Sequence, residues 1–230
     1  MRFLTTKSSA ALLDLDKDLW AATFRNEFEN FSDATIFMSR CIYIAFSHIL
    51  ASRKLMPETV FKKTTIDGNL RAYVMDSSEI LGARLLKKFK GVAETIEQRY
   101  LRELTLVVSP TEEDWCDAIE IYTWRMHYNA DGEPQAELQQ SDGAVVPALR
   151  FKGDQFVKKQ TTELLKSLSR LCSCALNPLP VGASATMRIT YTNRTPKGYQ
   201  APGFYRSPED PVLLRHAHCL KLGLFQTKYH

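Results

Sequence analysis

Cysteine is scarce in this chain. The five present (Cys41, Cys116, Cys172, Cys174 and Cys219) make an odd number with no framework spacing. That argues against a disulfide scaffold and for reduced thiols in a cytosolic or nuclear protein. Long apolar runs are missing too. The longest early one, residues 10–13, is broken by Asp14, so no secretory signal is expected, and no apolar segment approaches the ~20 residues that cross a bilayer. Without secretion the Asn193-Arg194-Thr195 sequon has no meaning as a glycosylation site. No sign of charge dominates either: 30 Lys and Arg against 26 Asp and Glu leave +4. The densest basic cluster, Arg84, Lys87, Lys88 and Lys90, falls on a helical pattern, where a solvated helix face is the simpler reading than a nucleic-acid footprint.

The marks of catalysis are absent as well. No nucleophile elbow, glycine-rich phosphate loop or H-E-x-x-H occurs, so the expectation is of no enzyme and no cofactor. Cys172, Cys174, His216, His218 and Cys219 show none of the paired spacings of structural zinc, and no metal is expected. Asp114, Asp117 and Glu120, beside a strand start, read as a solvated edge.

The chain does contain material for a core: 44% hydrophobic and 24% charged residues. Residues 1–14 lack a period and read as a flexible tail, and 18–28 carry a weak helical pattern. Ser32 is placed to cap a helix running through Ile36, Phe37, Cys41, Ile44, Ala45 and Ile49, apolar almost all round and therefore central, with Pro57 as a terminator after it. Residues 61–75 read as a hairpin about Asp67-Gly68. Ser77 or Ser78 would cap a second helix with a buried stripe of Leu81, Leu85, Phe89, Val92, Ile96 and Tyr100. Gly91 lies opposite that stripe, where it costs about 1 kcal/mol of helix propensity unless something packs closely against it.

From Leu101 the period becomes two. One strand ends at Ser109-Pro110. A second spans 118–129, with Tyr122, Trp124, Met126 and Tyr128 on one face, read as core in preference to a base-stacking platform. Residues 133–153 are polar enough for a mobile insertion. A third helix over 154–177 is stopped by Pro178 and Pro180, a strand covers 183–191, and 215–229 reads as a last hairpin bent at Gly223. Segregated helices and hairpin-linked strands give an α+β class, three helices on one mainly antiparallel sheet.

The most telling stretch is Ile189 to Phe204, an alternating strand that stops at Thr195-Pro196 and opens into an extended segment held by Pro202 and Gly203. If the strand before it is an edge, its unpaired amides and carbonyls invite a peptide to add as a further strand. The loop would then close over that peptide and slow its escape.

Several phrases in this chain resemble the HORMA domain family. They include Phe46-Ser47-His48-Ile49-Leu50-Ala51-Ser52-Arg53, Lys90-Gly91-Val92-Ala93, Tyr100-Leu101-Arg102-Glu103-Leu104, Met187-Arg188-Ile189-Thr190-Tyr191 and Tyr199-Gln200-Ala201-Pro202-Gly203-Phe204. The resemblance runs from about Leu15 to the end and is nearest the meiotic chromosome-axis branch, nematode-like members included. It implies a HORMA domain over 15–230 whose C-terminal "safety belt" wraps a short closure-motif peptide. The peptide would pair with Ala185, Thr186, Met187, Arg188, Ile189, Thr190 and Tyr191. The belt would carry Tyr199, Gln200, Pro202, Gly203, Phe204 and Tyr205, and a closing hairpin would carry Leu220, Leu222, Gly223 and Phe225, the two together occupying about 193–230.

Implied partners are closure motifs of other meiotic HORMA or axis and cohesin-associated proteins, and an ATP-driven remodeller acting on residues 1–13. The implied place is the nucleus, on meiotic chromosomes, in axis assembly, homologue pairing, synapsis and crossover control. No membrane and no direct nucleic-acid contact by this domain are expected. Three rivals stand beside this reading: a spindle-checkpoint or translesion-synthesis HORMA adaptor, a direct DNA binder, and a hydrolase with a hidden Cys-His pair. The chain departs from the family phrase at Ala51-Ser52, where an aromatic residue and a leucine usually precede the arginine. The sequence given stops at His230, so neither self-closure nor self-assembly through a closure motif of its own is read from it.

Overall fold

A computed structural model describes residues 29–66, 70–114, 117–128, 138–139, 145–146, 152–207 and 214–215. The expected tail, the weak helix at 18–28, most of the insertion and the closing hairpin lie outside the described residues.

Helix α1 (Phe31–Ser52) is the centre of the core, buried from Phe37 to Leu50 on every side. It is long and apolar enough to cross a membrane, contrary to the expectation from apolar runs, yet most of it is enclosed by the rest of the fold. It starts earlier than Ser32 suggests. Asn30 is the cap, its Oδ1 accepting from Asp33 N at 3.0 Å, because a cap side chain reaches the free amide three residues on. Two buried hydroxyls are satisfied within the helix, Ser39 and Ser47 each donating at 2.7 Å to the carbonyl four residues back.

The helix stops well before Pro57. Leu55 N bonds Leu50 O, Lys54 N bonds Ala51 O, and Lys54 takes φ 55°. That is a Schellman closure with lysine where glycine is usual. Arg99, at φ 59°, closes the second helix in the same way.

After a short 3₁₀ turn, β1 (Phe61–Ile66) and β2 (Leu70–Met75) pair antiparallel, from Phe61 opposite Met75 to Ile66 opposite Leu70. Tyr43 of α1 accepts the Met75 amide at 2.6 Å and ties this hairpin to the core. Helix α2 (Ile80–Glu97) is not capped by Ser77 or Ser78. Asp76 instead folds the preceding turn, its Oδ1 accepting from Ser78 N and Oγ, while Lys62 pairs with its other oxygen at 2.9 Å. Its buried stripe is Leu86, Phe89, Val92 and Ile96; Leu81, expected in it, is 41% exposed, since the stripe only begins once the helix reaches α1.

Strand β3 (Leu101–Ser109) is central and largely buried on both faces over Leu106, Val107 and Val108. β5 (Glu120–Arg125) lies on one side and β8 (Ser184–Tyr191) on the other, both antiparallel. The single strand expected over 118–129 is two pieces, β4 (Asp117–Ala118) and β5. The Ile119 amide still bonds Val108 O at 2.9 Å, while β4 turns to pair parallel with β9 (Leu214–Arg215). Within the insertion, β6 (Leu138–Gln139) and β7 (Val145–Val146) form a two-pair ladder. Helix α3 (Asp154–Arg170) packs on α1 and continues as a π-helical turn over Leu171–Ala175 before Pro178, an earlier end than the single helix expected to Asn177.

The Ala51-Ser52-Arg53 departure leads to a buried polar junction. The Arg53 guanidinium forks onto Glu120, with Nε 3.1 Å from Oε2 and Nη2 on Oε1, and Nη2 also donates to Asn177 O at 2.6 Å. Tyr122 donates to the same carboxylate at 2.7 Å. One side chain thus joins the end of α1, the first residue of β5 and the connection after α3. Glu120, expected at a solvated edge, is an inward-facing ion-pair partner with its side chain 14% exposed.

Candidate functional site

The site begins with which way β8 points its backbone. In an antiparallel ladder a residue's N–H and C=O share one side, and successive residues alternate. Arg102 O and Val108 O accept from Met126 and Ile119, on the β5 side. The β3 residues that face β8 are therefore Glu103, Thr105, Val107 and Ser109, opposite Thr190, Arg188, Thr186 and Ser184. Thr192 N continues that series by bonding Tyr100 O at 2.7 Å, beyond a bulge at Leu101/Glu103. The amides and carbonyls of Ala185, Met187, Ile189 and Tyr191 therefore point away from β3, and among the described residues no strand pairs with that edge.

The same four side chains lean on the core and are only partly buried, whereas Thr186 and Thr190 are exposed and Arg188 is half-buried. The edge thus offers both a ladder and an incompletely covered apolar flank.

Immediately after β8 the chain turns at Thr192–Thr195 and again at Pro196–Tyr199, then lies along α2. Tyr199 stacks edge-on with Tyr100 and Tyr191 at 5.0 and 5.6 Å, and its hydroxyl donates to Glu94 at 3.2 Å. Burial, with Glu94 beside it, pushes the Tyr199 phenol up, so it remains a donor at any physiological pH. Tyr191 Oη accepts from Ala201 N at 3.0 Å, and Gln200 Nε2 donates to Phe204 O at 2.5 Å. Ala201 and Phe204 are buried.

Under this stretch sits Gly91: a Cβ there would lie 2.2 Å from Pro202 O. The close packing that would justify a glycine on that face is thus present. Gly203, at φ 81°, rests on Lys88, whose Nζ stands 5.2 Å from the centre of the Phe204 ring. Burial lowers the Lys88 pKa. The basic cluster is thereby split, with Arg84 and Lys87 exposed and Lys88 under the loop.

Beyond Phe204, Tyr205 is 90% exposed. The next described residues, β9, pair with β4, which lies on the β5 side of β3 and so away from β8. The segment thus leaves the β8 edge and lies against α2, and its described residues 214–215 pair on the far side of β3.

The expected strand and belt residues accordingly fall at one edge and the loop leaving it, Tyr205 alone making no described contact. Leu220, Leu222, Gly223 and Phe225 lie outside the described residues, as do His216, His218 and Cys219. Among the described residues no group of three potential metal ligands occurs. Burial drives the Cys41 thiol far up and Cys172 to about 11, the reverse of an activated nucleophile. Sequence reasoning missed the Arg53–Glu120–Tyr122 junction, for which the only signal was a charged residue at the end of an apolar helix.

A family model described as the HORMA domain matches residues 34–230. HORMA domain-containing protein 2 of Bos taurus is 26% identical over 213 residues, spanning 90% of this chain and 67% of the relative. HORMA domain-containing protein 1 of Homo sapiens is 23% identical, spanning 91% of this chain and 53% of the relative. This chain therefore spans about two thirds and about half of the lengths of these two relatives.

Among solved structures, C. elegans HTP-2 bound to HTP-3 closure motif 1 superposes with a TM-score of 0.74 at 26% identity, over 90% of this chain and 84% of that one. C. elegans HTP-1 bound to the HIM-3 closure motif gives 0.71 at 25%, over 82% and 83%. A chain of the mitotic checkpoint complex gives 0.62 at 16% identity, a likeness of fold alone.

Proposed function

The chain belongs to the HORMA domain family, and on that premise we propose that it captures closure-motif peptides of meiotic chromosome-axis partners as an added strand on the open edge of β8. The observation that carries this reading is that edge itself: Ala185, Met187, Ile189 and Tyr191 turn their backbone groups outward at the point where the belt begins. Each net hydrogen bond to an added strand contributes about 0.5–1.5 kcal/mol, partly offset by ordering the peptide. A belt that reaches the far edge at β4 adds a barrier to escape, and slow dissociation is what retains a short peptide. HTP-1 and HTP-2, to which this chain is similar, were solved with closure motifs of HIM-3 and HTP-3; that likeness supports partners of the same kind here.

The same reading places the protein in the nucleus on meiotic chromosomes, supporting axis assembly, pairing, synapsis and crossover control. It acts there as an adaptor and not as an enzyme, and an ATP-driven remodeller engages residues 1–13 to reopen the belt. The test is a tiled peptide array of axis and cohesin-associated proteins. A few short, mutually competing hits with slow dissociation are expected, and their absence with a folded protein overturns the reading. Deleting residues 215–230 should turn slow dissociation into fast. Unchanged dissociation in the deleted chain would remove the belt from the mechanism.

A further inference from the structure

We propose that Gly91 is the seat of the belt, the residue that fixes where the C-terminal segment crosses α2 and so how much of it remains free to arch over the edge of β8. The consequence for retention rests on the peptide-capture reading; the seat itself does not.

Three observations converge on the position. First, Gly91 sits in mid-helix and is buried although it carries no side chain to bury. What covers it is belt backbone: Pro202 O, C and N stand 2.2, 3.1 and 3.2 Å from where a Cβ would be. Backbone cannot yield as the tip of a flexible side chain can, so any larger residue lifts the belt. Second, the belt is shaped to make this approach. Gly203 takes φ 81° and lies against Lys88, its own Cβ position 3.1 Å from Lys88 Cγ, so glycine is required on both sides of the contact. Third, the contact is braced at each end by hydrogen bonds. Ala201 N reaches the Tyr191 hydroxyl, Phe204 N bonds Ala201 O, and Gln200 Nε2 closes onto Phe204 O.

The seat changes the polymer physics of the belt. Unseated, the loop from Tyr191 to Leu214 must close as one long segment. Seated, only residues 205–213 remain to be closed between Phe204 and β9. Loop-closure entropy grows with the logarithm of length, and shortening the loop by this much favours closure roughly fourfold. The seat also stops the belt from sliding along α2, which sets a single register between its two ends.

Gly82 is a matched control. It lies on the same helix, and a Cβ there would meet Asp76 O at 2.1 Å, a contact of the same severity that involves no belt residue. Hydrogen exchange of the whole chain at residue resolution should show the Ala201 and Phe204 amides exchanging at least tenfold faster in Gly91→Ala, and unchanged relative to the rest of the fold in Gly82→Ala. If Gly91→Ala does not fold, Gly203→Ala attacks the same contact from the belt side with α2 intact, and the same two amides are expected to lose protection. Protection retained in both belt variants, or lost equally in Gly82→Ala, overturns the seat. With a labelled peptide from the array, Gly91→Ala should dissociate about fourfold faster or more, and an unchanged rate overturns the role in retention. A wild-type chain that holds no arrayed peptide defeats the capture reading while the exchange result still decides the seat.

Discussion

His48 shows how a single side chain records its surroundings. Its ring packs 5.4 Å from Tyr73, and among the described residues its buried Nε2 has no partner. Burial therefore lowers its pKa below the ordinary 6.5. The folded protein disfavours the charged imidazole, whereas the unfolded chain binds a proton as the pH falls through 6.5, so stability is full above that value and declines below it. Urea denaturation between pH 8 and 5 should show this decline. His48→Phe should reduce its slope, leaving the share due to His127, which burial and Arg125 also lower. A slope unchanged in His48→Phe would mean that the site is hydrated. Arg53 is the second telling residue. Removing either partner of its near-buried pair strands the other, and Arg53→Ala should cost about 3–5 kcal/mol by denaturant titration. Arg53→Lys should recover little, because a point charge cannot replace the fork onto Glu120 and the bond to Asn177 O. Full recovery by lysine would reduce the junction to simple charge pairing.

At the scale of elements, β8 separates folding from binding by parity. Ile189→Pro deletes an amide that points to the open edge, so peptide affinity should fall by about 1 kcal/mol or more with little loss of stability. Arg188→Pro deletes an amide that points to β3 and should destabilise the whole sheet. Thermal unfolding and peptide binding measured on both variants check the assignment; the reverse pattern would mean that the open edge is carried by the even-numbered residues. Residues 184–191 were legible as a strand because apolar and polar side chains alternate there. Which of its two backbone edges is open was not legible, because that depends on where the bulge falls in β3 and on which side β5 lies. The helices divide similarly. The stripe through Phe89, Val92 and Ile96 was readable from spacing alone. Their ends were not, because Asn30, Lys54, Asp76 and Arg99 act through backbone geometry that several residue types can adopt.

At the scale of the whole molecule, the C-terminal segment proposed as a belt meets elements distant in sequence: Pro202 lies against Gly91 of α2, and β9 at 214 pairs with β4 at 117. The sequence resemblance implied such an arrangement; the fold and the family are what the comparisons show. The deletion of 215–230 belongs to this scale, since it removes Arg215 of the β4–β9 pairing and the chain after it while leaving β8 and the Gly91 contact in place. The sequence indicates that Gly91 needs a close neighbour, but not that the neighbour is Pro202, because nothing local relates the two.

The chain's own pattern of residues determined its class, its three helices, its central hairpin-linked strands and the strand–loop passage that marks the site, because periodicity and turn chemistry are local and survive in any context. Only the tertiary structure decided that Arg53 and Glu120 form a buried pair, that Lys88 lies under Phe204 instead of in solvent, and that Gly91 lies against the Pro202 backbone. Those are contacts between distant segments. They are fixed by which surfaces exclude water together, a property of the assembled fold and not of any stretch of the chain.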